Sequence, residues 1–152
     1  MKTKLELKHL APYLPFHLKC HAMGEFKFGT EDSDSPIPET FVLNGLLLNN
    51  KASIMCLGQK ELIPLYELFP ILRPLSDLTK KIEIDGETFR PFHKLDHDFE
   101  LQNNTYLCLI LHGARIINLF DHPYEIMQKL FEWHFDVFGL IDKGLAIDIN
   151  TL

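Results

Sequence analysis

Proline placement constrains this chain more than any other feature. Pro12 and Pro15 stand near the start, Pro64, Pro70 and Pro74 fall within residues 60–80, and Pro123 precedes the last long apolar stretch. A proline inside a helix removes a hydrogen bond and clashes with the preceding turn. Residues 60–80 are therefore expected to hold short helical turns broken at each proline, and no long helix. Residues 5–15 read as a short helix or turn stopped by Pro12 and Pro15. Pro123 has the opposite meaning, because at a helix's first position the missing N–H costs nothing. A helix is expected from Pro123 to about Phe138, with Gly139 as its C-terminal cap.

Strand signals fill much of the rest. Residues 16–28 drift towards alternation. Residues 29–40 are polar, acidic and proline-bearing, and are expected to form a flexible surface loop. Residues 41–48 and 52–57 read as two strands joined through Asn49-Asn50-Lys51. In residues 81–90, Asp85-Gly86 sits where a two-residue type I′ turn needs positive φ. That register pairs Ile84 with Glu87 and Ile82 with Phe89. Residues 93–105 are expected to be loop or short helix, residues 106–111 a buried strand, and residues 115–120 a strand returning beside it. Strands first and the strongest helix last predict an α+β fold: one domain over residues 1–152, a small antiparallel sheet with hairpins, packed by short helices and a C-terminal helix. At 152 residues, 46% hydrophobic and 24% charged, the composition is that of an ordinary globular domain.

Charge and cysteines narrow the functional classes. The net charge is −6, and only Arg73, Arg90 and Arg115 are arginines. Nucleic-acid binders need clustered cations and favour arginine for bidentate phosphate contacts, so no nucleic-acid partner is expected. Lys2, Lys4, Lys8, Lys19 and Lys27 make the first thirty residues mildly basic, which a solvated face explains. Cys20, Cys56 and Cys108 are far apart and odd in number, as befits buried free thiols in a reducing compartment. The N-terminus shows no apolar signal region, and residues 106–111 are far too short for a membrane span. The expected location is cytoplasmic, away from membranes.

Recognisable catalytic wording is missing: no G-x-S-x-G, P-loop or G-x-G-x-x-G occurs. His17/His21 and His93/His97 have the spacing that places two imidazoles on one helix face, but neither pair carries the Glu of H-E-x-x-H. Asp96, Asp98 and Glu100 offer oxygen ligands, yet Leu101 and Leu107 stand where a calcium loop needs Gly and Glu. Glu6-x-Lys8 and Glu25-x-Lys27 are triplets common by chance. No metal or other cofactor is expected. In Leu72-Arg-Pro-Leu-Ser-Asp-Leu78, Pro74 is expected to start a turn, with Ser76 or Asp77 capping backbone N–H groups. Arg73 would pair with Asp77 or grip an anionic partner. In Trp133-His134-Phe135-Asp136, helical spacing places His134 in the middle of the apolar face and Asp136 on the polar stripe.

Leu72-Arg-Pro-Leu-Ser-Asp-Leu78, Leu130-Phe-Glu-Trp-His-Phe-Asp-Val-Phe-Gly-Leu-Ile141 and Lys143-Gly-Leu-Ala-Ile-Asp-Ile-Asn150 resemble a family of small uncharacterised proteins. These are encoded by Bacteroides-type bacteria, often in prophage or mobile-element neighbourhoods. His9-Leu-Ala-Pro-Tyr-Leu-Pro15 is similar to that family's opening. The resemblance implies a phage-type accessory protein and transfers no activity, substrate or cofactor. The expectation is a non-enzymatic protein-interaction module, monomeric or homodimeric, with an unidentified protein partner. Arg73, Asp77, Trp133 and Asp136 are its candidate interaction residues. The alternative is a metal-dependent enzyme whose His, Asp and Glu ligands meet only in the fold.

Overall fold

The computed structural model describes residues 3–22, 40–56, 59–99 and 123–152. The fold is α+β, and the chain divides into two compact units, Met1–Ile71 and Leu72–Leu152. The sequence expectations for residues 23–39, 106–111 and 115–120 lie outside the described residues.

The first unit opens with α1 (Leu7–Leu10), which runs into a 3-10 turn, Ala11–Phe16, where the prolines take over. His9 is buried, and its Nδ1 accepts the Glu6 backbone N–H at 3.1 Å. Then come β1 (Lys19–Ala22), β2 (Thr40–Leu47), β3 (Lys51–Cys56), β4 (Gln59–Pro64) and β5 (Leu68–Leu72). Their order is β4-β3-β2-β1-β5, every pair antiparallel. The hairpin expected around Asn49-Asn50-Lys51 is present: Leu47 pairs with Lys51, and Asn50 takes the left-handed φ of 59° that asparagine tolerates.

One sheet face carries the core. Phe41, Leu43, Ala52, Ile54 and Ile63 are buried on it. The register shifts between Leu43 and Gly45, so Asn44 is an extra residue and the inward set resumes at Leu46 opposite Ala52. Cys20 is fully buried opposite Phe41 and Pro70, and burial pushes its thiol up to about 12. A thiol so buried is held in its protonated form. The Cys56 side chain and Cys108 lie outside the described residues.

Residues 60–80 depart from expectation. Short 3-10 turns do occur, at Leu65–Glu67 and Leu75–Thr79, but β4 and β5 are strands. Pro64 is the last residue of β4, and Pro70 pairs with Cys20 inside β5. A proline stops a helix but is accepted in a strand wherever its missing N–H is not required.

The second unit holds the hairpin β6 (Ile82–Ile84) and β7 (Glu87–Phe89), α2 (Pro91–Phe99), α3 (Pro123–Glu132) and the two-residue β8 (Ile147–Asp148). The hairpin has the expected register, with Ile82 opposite Phe89 and φ of 52° and 81° at Asp85 and Gly86. α2 contributes the fully buried Leu95. Lys94 of α2 lies 4.4 Å from the Phe89 ring centroid and 2.9 Å from a Glu87 carboxylate oxygen.

α3 begins at Pro123 as expected but ends six residues early. Ile126, Leu130 and Trp133 recur at four- and three-residue steps and face the core with Phe135. His134 then takes φ 58°, which no helix continues through. Its N–H donates to the Phe131 carbonyl at 3.0 Å, and that of Phe135 to the Leu130 carbonyl at 2.9 Å. This is the paired bonding of a Schellman cap, with His134 in the left-handed position usually held by glycine. His134 is half-buried at a helix end, not in the middle of an apolar face. Gly139 also has positive φ, 65°, but it serves a later turn. Asparagine suits the left-handed position, so His134→Asn should change stability by less than about 0.5 kcal/mol. A β-branched side chain does not, so His134→Val should cost about 1–2 kcal/mol. Urea unfolding compares the two; equal costs would sink this account of the cap.

Candidate functional site

Residues 72–78, 130–141 and 143–150 meet inside the second unit. Their contact begins with backbone. Arg73 and Phe135 form an isolated parallel bridge. The Arg73 N–H donates to the His134 carbonyl at 2.8 Å, and the Asp136 N–H donates to the Arg73 carbonyl at 2.7 Å. The Schellman cap makes this possible: by stopping α3 at His134, it frees the backbone of 134–136 to pair with residue 73.

Asp136 is buried, and its carboxylate holds the next turn. Oδ1 accepts the Leu140 N–H at 2.7 Å and Oδ2 the Ile141 N–H at 2.9 Å. Burial raises this carboxyl above its ordinary value, against the two N–H groups, which favour its charged form. The expectation that Asp136 lies on an exposed polar stripe is therefore corrected: the helix ends before it. Trp133 is 5% exposed, with its ring 5.2 Å from that of Phe89, so it is core rather than contact surface.

Asp77 is buried as well. Oδ1 accepts from Lys80 Nζ and Oδ2 from Asn150 Nδ2, each at 2.8 Å. This replaces the expected backbone cap; no side chain caps the 75–79 turn. Burial alone would raise the Asp77 carboxyl. Hydrogen bonds from Lys80 and Asn150, with the charges of Lys80 and Arg73, hold it below its ordinary value. Asp148 accepts the Asn150 N–H at 2.8 Å and so shapes the turn that delivers Asn150. Burial weighs against the Arg73 charge, while Asp77 and Asp148 favour it. Arg73 Nε is buried without a hydrogen-bond partner, so the expected Arg73–Asp77 pair is an attraction of charges and not a bond.

Three of the four candidate residues, Arg73, Asp77 and Asp136, thus assemble into an internal clasp joining residues 73–77, 134–141 and 148–150, while Trp133 packs beside Phe89. Asn150, Asp148 and Lys80 belong to it without having been singled out. Asp148-x-Asn150 is the spacing of a side chain that hydrogen-bonds backbone two residues on, which is the one local signal for them. His93 and His97 do share a helix, α2, one turn apart. His17 ends a 3-10 turn and His21 lies in β1, so that pair does not. Among the described residues no three His, Cys, Asp or Glu side chains converge. No described helix is long and apolar enough to cross a membrane.

The clasp has a pH signature. A carboxyl lowered on folding contributes fully above its unfolded value, about 3.9, and loses that contribution as pH falls through the folded value. Asp77→Asn keeps the shape and removes the charge. Its deficit in urea midpoint against the native chain should be full at pH 7 and shrink as pH falls below about 3.9. A deficit constant with pH would contradict it.

No protein-family model, curated protein or solved structure matches the chain.

Proposed function

We propose that this is a cytoplasmic, non-enzymatic accessory protein of phage or prophage type that works by binding another protein. The resemblance of its motif runs to small prophage-borne proteins supports the setting. The observation that carries the binding role is a group of exposed apolar side chains in the first unit. Leu48 is 97% exposed, Tyr66 78% and Leu62 48%. The Leu65 N–H donates to the Asn50 carbonyl at 3.0 Å, which holds the turn bearing Tyr66 against the hairpin loop bearing Leu48. Exposed apolar groups gathered by backbone structure mark a surface that a partner covers.

Affinity capture from the native host tests this. The native chain and a Leu48→Ser/Tyr66→Ser double variant should unfold at the same urea concentration, but only the native chain should recover its partner. A double variant that recovers the same proteins at the same level would refute the assignment.

A further inference from the structure

We infer that the outer face of the first unit's sheet docks an extended, acidic segment of the partner protein, with an apolar residue between carboxylates four residues apart. This rests on the binding role proposed above and specifies its chemistry. Across the sheet, Lys19 pairs with Val42, Val42 with Met55 and Met55 with Lys60. Further along, Gly45, Ser53 and Leu62 form one row, and Leu47, Lys51 and Pro64 the next. Cross-strand partners point to the same side, so Lys19, Lys51 and Lys60 stand on the face opposite Leu43 and Ile54.

All three lysines are exposed, and none has an ion-pair partner among the described residues. The described strand residues of this face include no carboxylate; Glu61 pairs with Ile54 and so points to the other side. Val42, 36% exposed, and Leu62 lie between the lysines, with the buried Ser53 in the row beside Leu62. A chain of net charge −6 thus presents a cationic face with an aliphatic middle.

Spacing selects the occupant. Strands lie about 4.8 Å apart and rise about 3.4 Å per residue. Lys19 and Lys60 are three strands apart, and Lys51 lies beside Pro64, four residues beyond Lys60. Each separation is about 14 Å, the reach of four residues of extended chain. An acid-x-apolar-x-acid segment running along β3 and β4 therefore sets one carboxylate at Lys60, one at Lys51 and the apolar side chain at Leu62. No arginine stands on this face among the described residues, and its middle is aliphatic. It suits aliphatic groups between carboxylates better than a phosphate backbone.

The test uses the full chain and a dye-labelled twelve-residue peptide repeating Asp-Thr-Leu-Thr, read by fluorescence anisotropy at low salt. The acidic peptide should bind, and a Lys-Thr-Leu-Thr peptide should not. Lys51→Glu/Lys60→Glu should weaken binding at least about ten-fold, Leu62→Ser should weaken it, and Lys81→Glu, on the second unit, should leave it unchanged. Equal binding of the basic peptide, no binding of either, or tighter binding of duplex DNA that displaces the acidic peptide would each overturn the inference. Sensitivity to Leu62→Ser with indifference to both lysine reversals would overturn the acidic occupant while leaving the protein-binding role standing.

Discussion

Phe135→Ala is expected to destabilise the second unit by about 3–5 kcal/mol, the usual range for deleting a fully buried ring. Phe135 has no exposure and packs in one cluster with Leu130, Ile126 and Trp133. Its backbone is committed on both sides, through its N–H to the Leu130 carbonyl and through the bridge to Arg73. These bonds hold the backbone in place, so the neighbours cannot relax fully into the space the ring leaves, and incomplete relaxation is what raises the cost. Trp133 is the single tryptophan and belongs to the same cluster, so its fluorescence during urea unfolding reports on this unit. Phe135→Leu, which refills most of the volume, should cost less than about 1.5 kcal/mol. Glu132→Ala, at an exposed site, should cost less than about 0.5 kcal/mol. A Phe135→Ala cost below 1 kcal/mol would mean that the ring is not the keystone of this cluster.

The sequence was most legible where one residue type answers one backbone requirement. Asp85-Gly86 supplies two positive φ angles in succession, and the hairpin follows with its register. Asn50 does the same for the β2–β3 turn, and Pro123 for the start of α3. Legibility failed where tertiary partners override local preference. α3 should continue on propensity, because Phe135, Val137 and Phe138 preserve an apolar rhythm. It stops because residues 134–136 gain backbone bonds to Arg73, sixty-one residues back in the sequence, and histidine signals a left-handed position far more weakly than glycine does. Pro64 and Pro70 read as breakers because proline cannot belong to a helix interior, and that logic does not reach strands. The clasp shows the same division. Arg73, Asp77, Trp133 and Asp136 were legible as special, yet their partners Lys80, Leu140, Ile141 and Asn150 depend on how distant segments meet. The exposed apolar side chains were the least legible. Leu48 continues the same leucine run as the half-buried Leu46 and Leu47, and only the end of β2 separates an exposed leucine from a strand residue.

Asp136→Ala should be the costliest change to a polar residue in the clasp, about 2–4 kcal/mol. It removes two charge-assisted bonds at once, each worth roughly 1.5–3 kcal/mol in isolation. It also strands the Leu140 and Ile141 N–H groups, the first of which lies where water cannot replace the lost acceptor. Asp136→Asn retains one carbonyl oxygen for one of the two donors, so it should recover part of the loss. Arg73→Ala should be milder than either, because Arg73 serves the clasp through its backbone and alanine keeps both bonds. The two aspartates should also separate by pH. For Asp136 the folded value lies above the unfolded one. Its favourable contribution relative to a permanently neutral side chain is therefore complete below about pH 3.9 and is lost as pH rises through the folded value. The gap between the native chain and Asp136→Asn should narrow from pH 3 to pH 7, while that for Asp77→Asn widens. Parallel behaviour of the two variants would show that burial does not govern the Asp136 carboxyl, and an Arg73→Ala cost as large as that of Asp136→Ala would show that the guanidinium, not the backbone of residue 73, holds the three segments together.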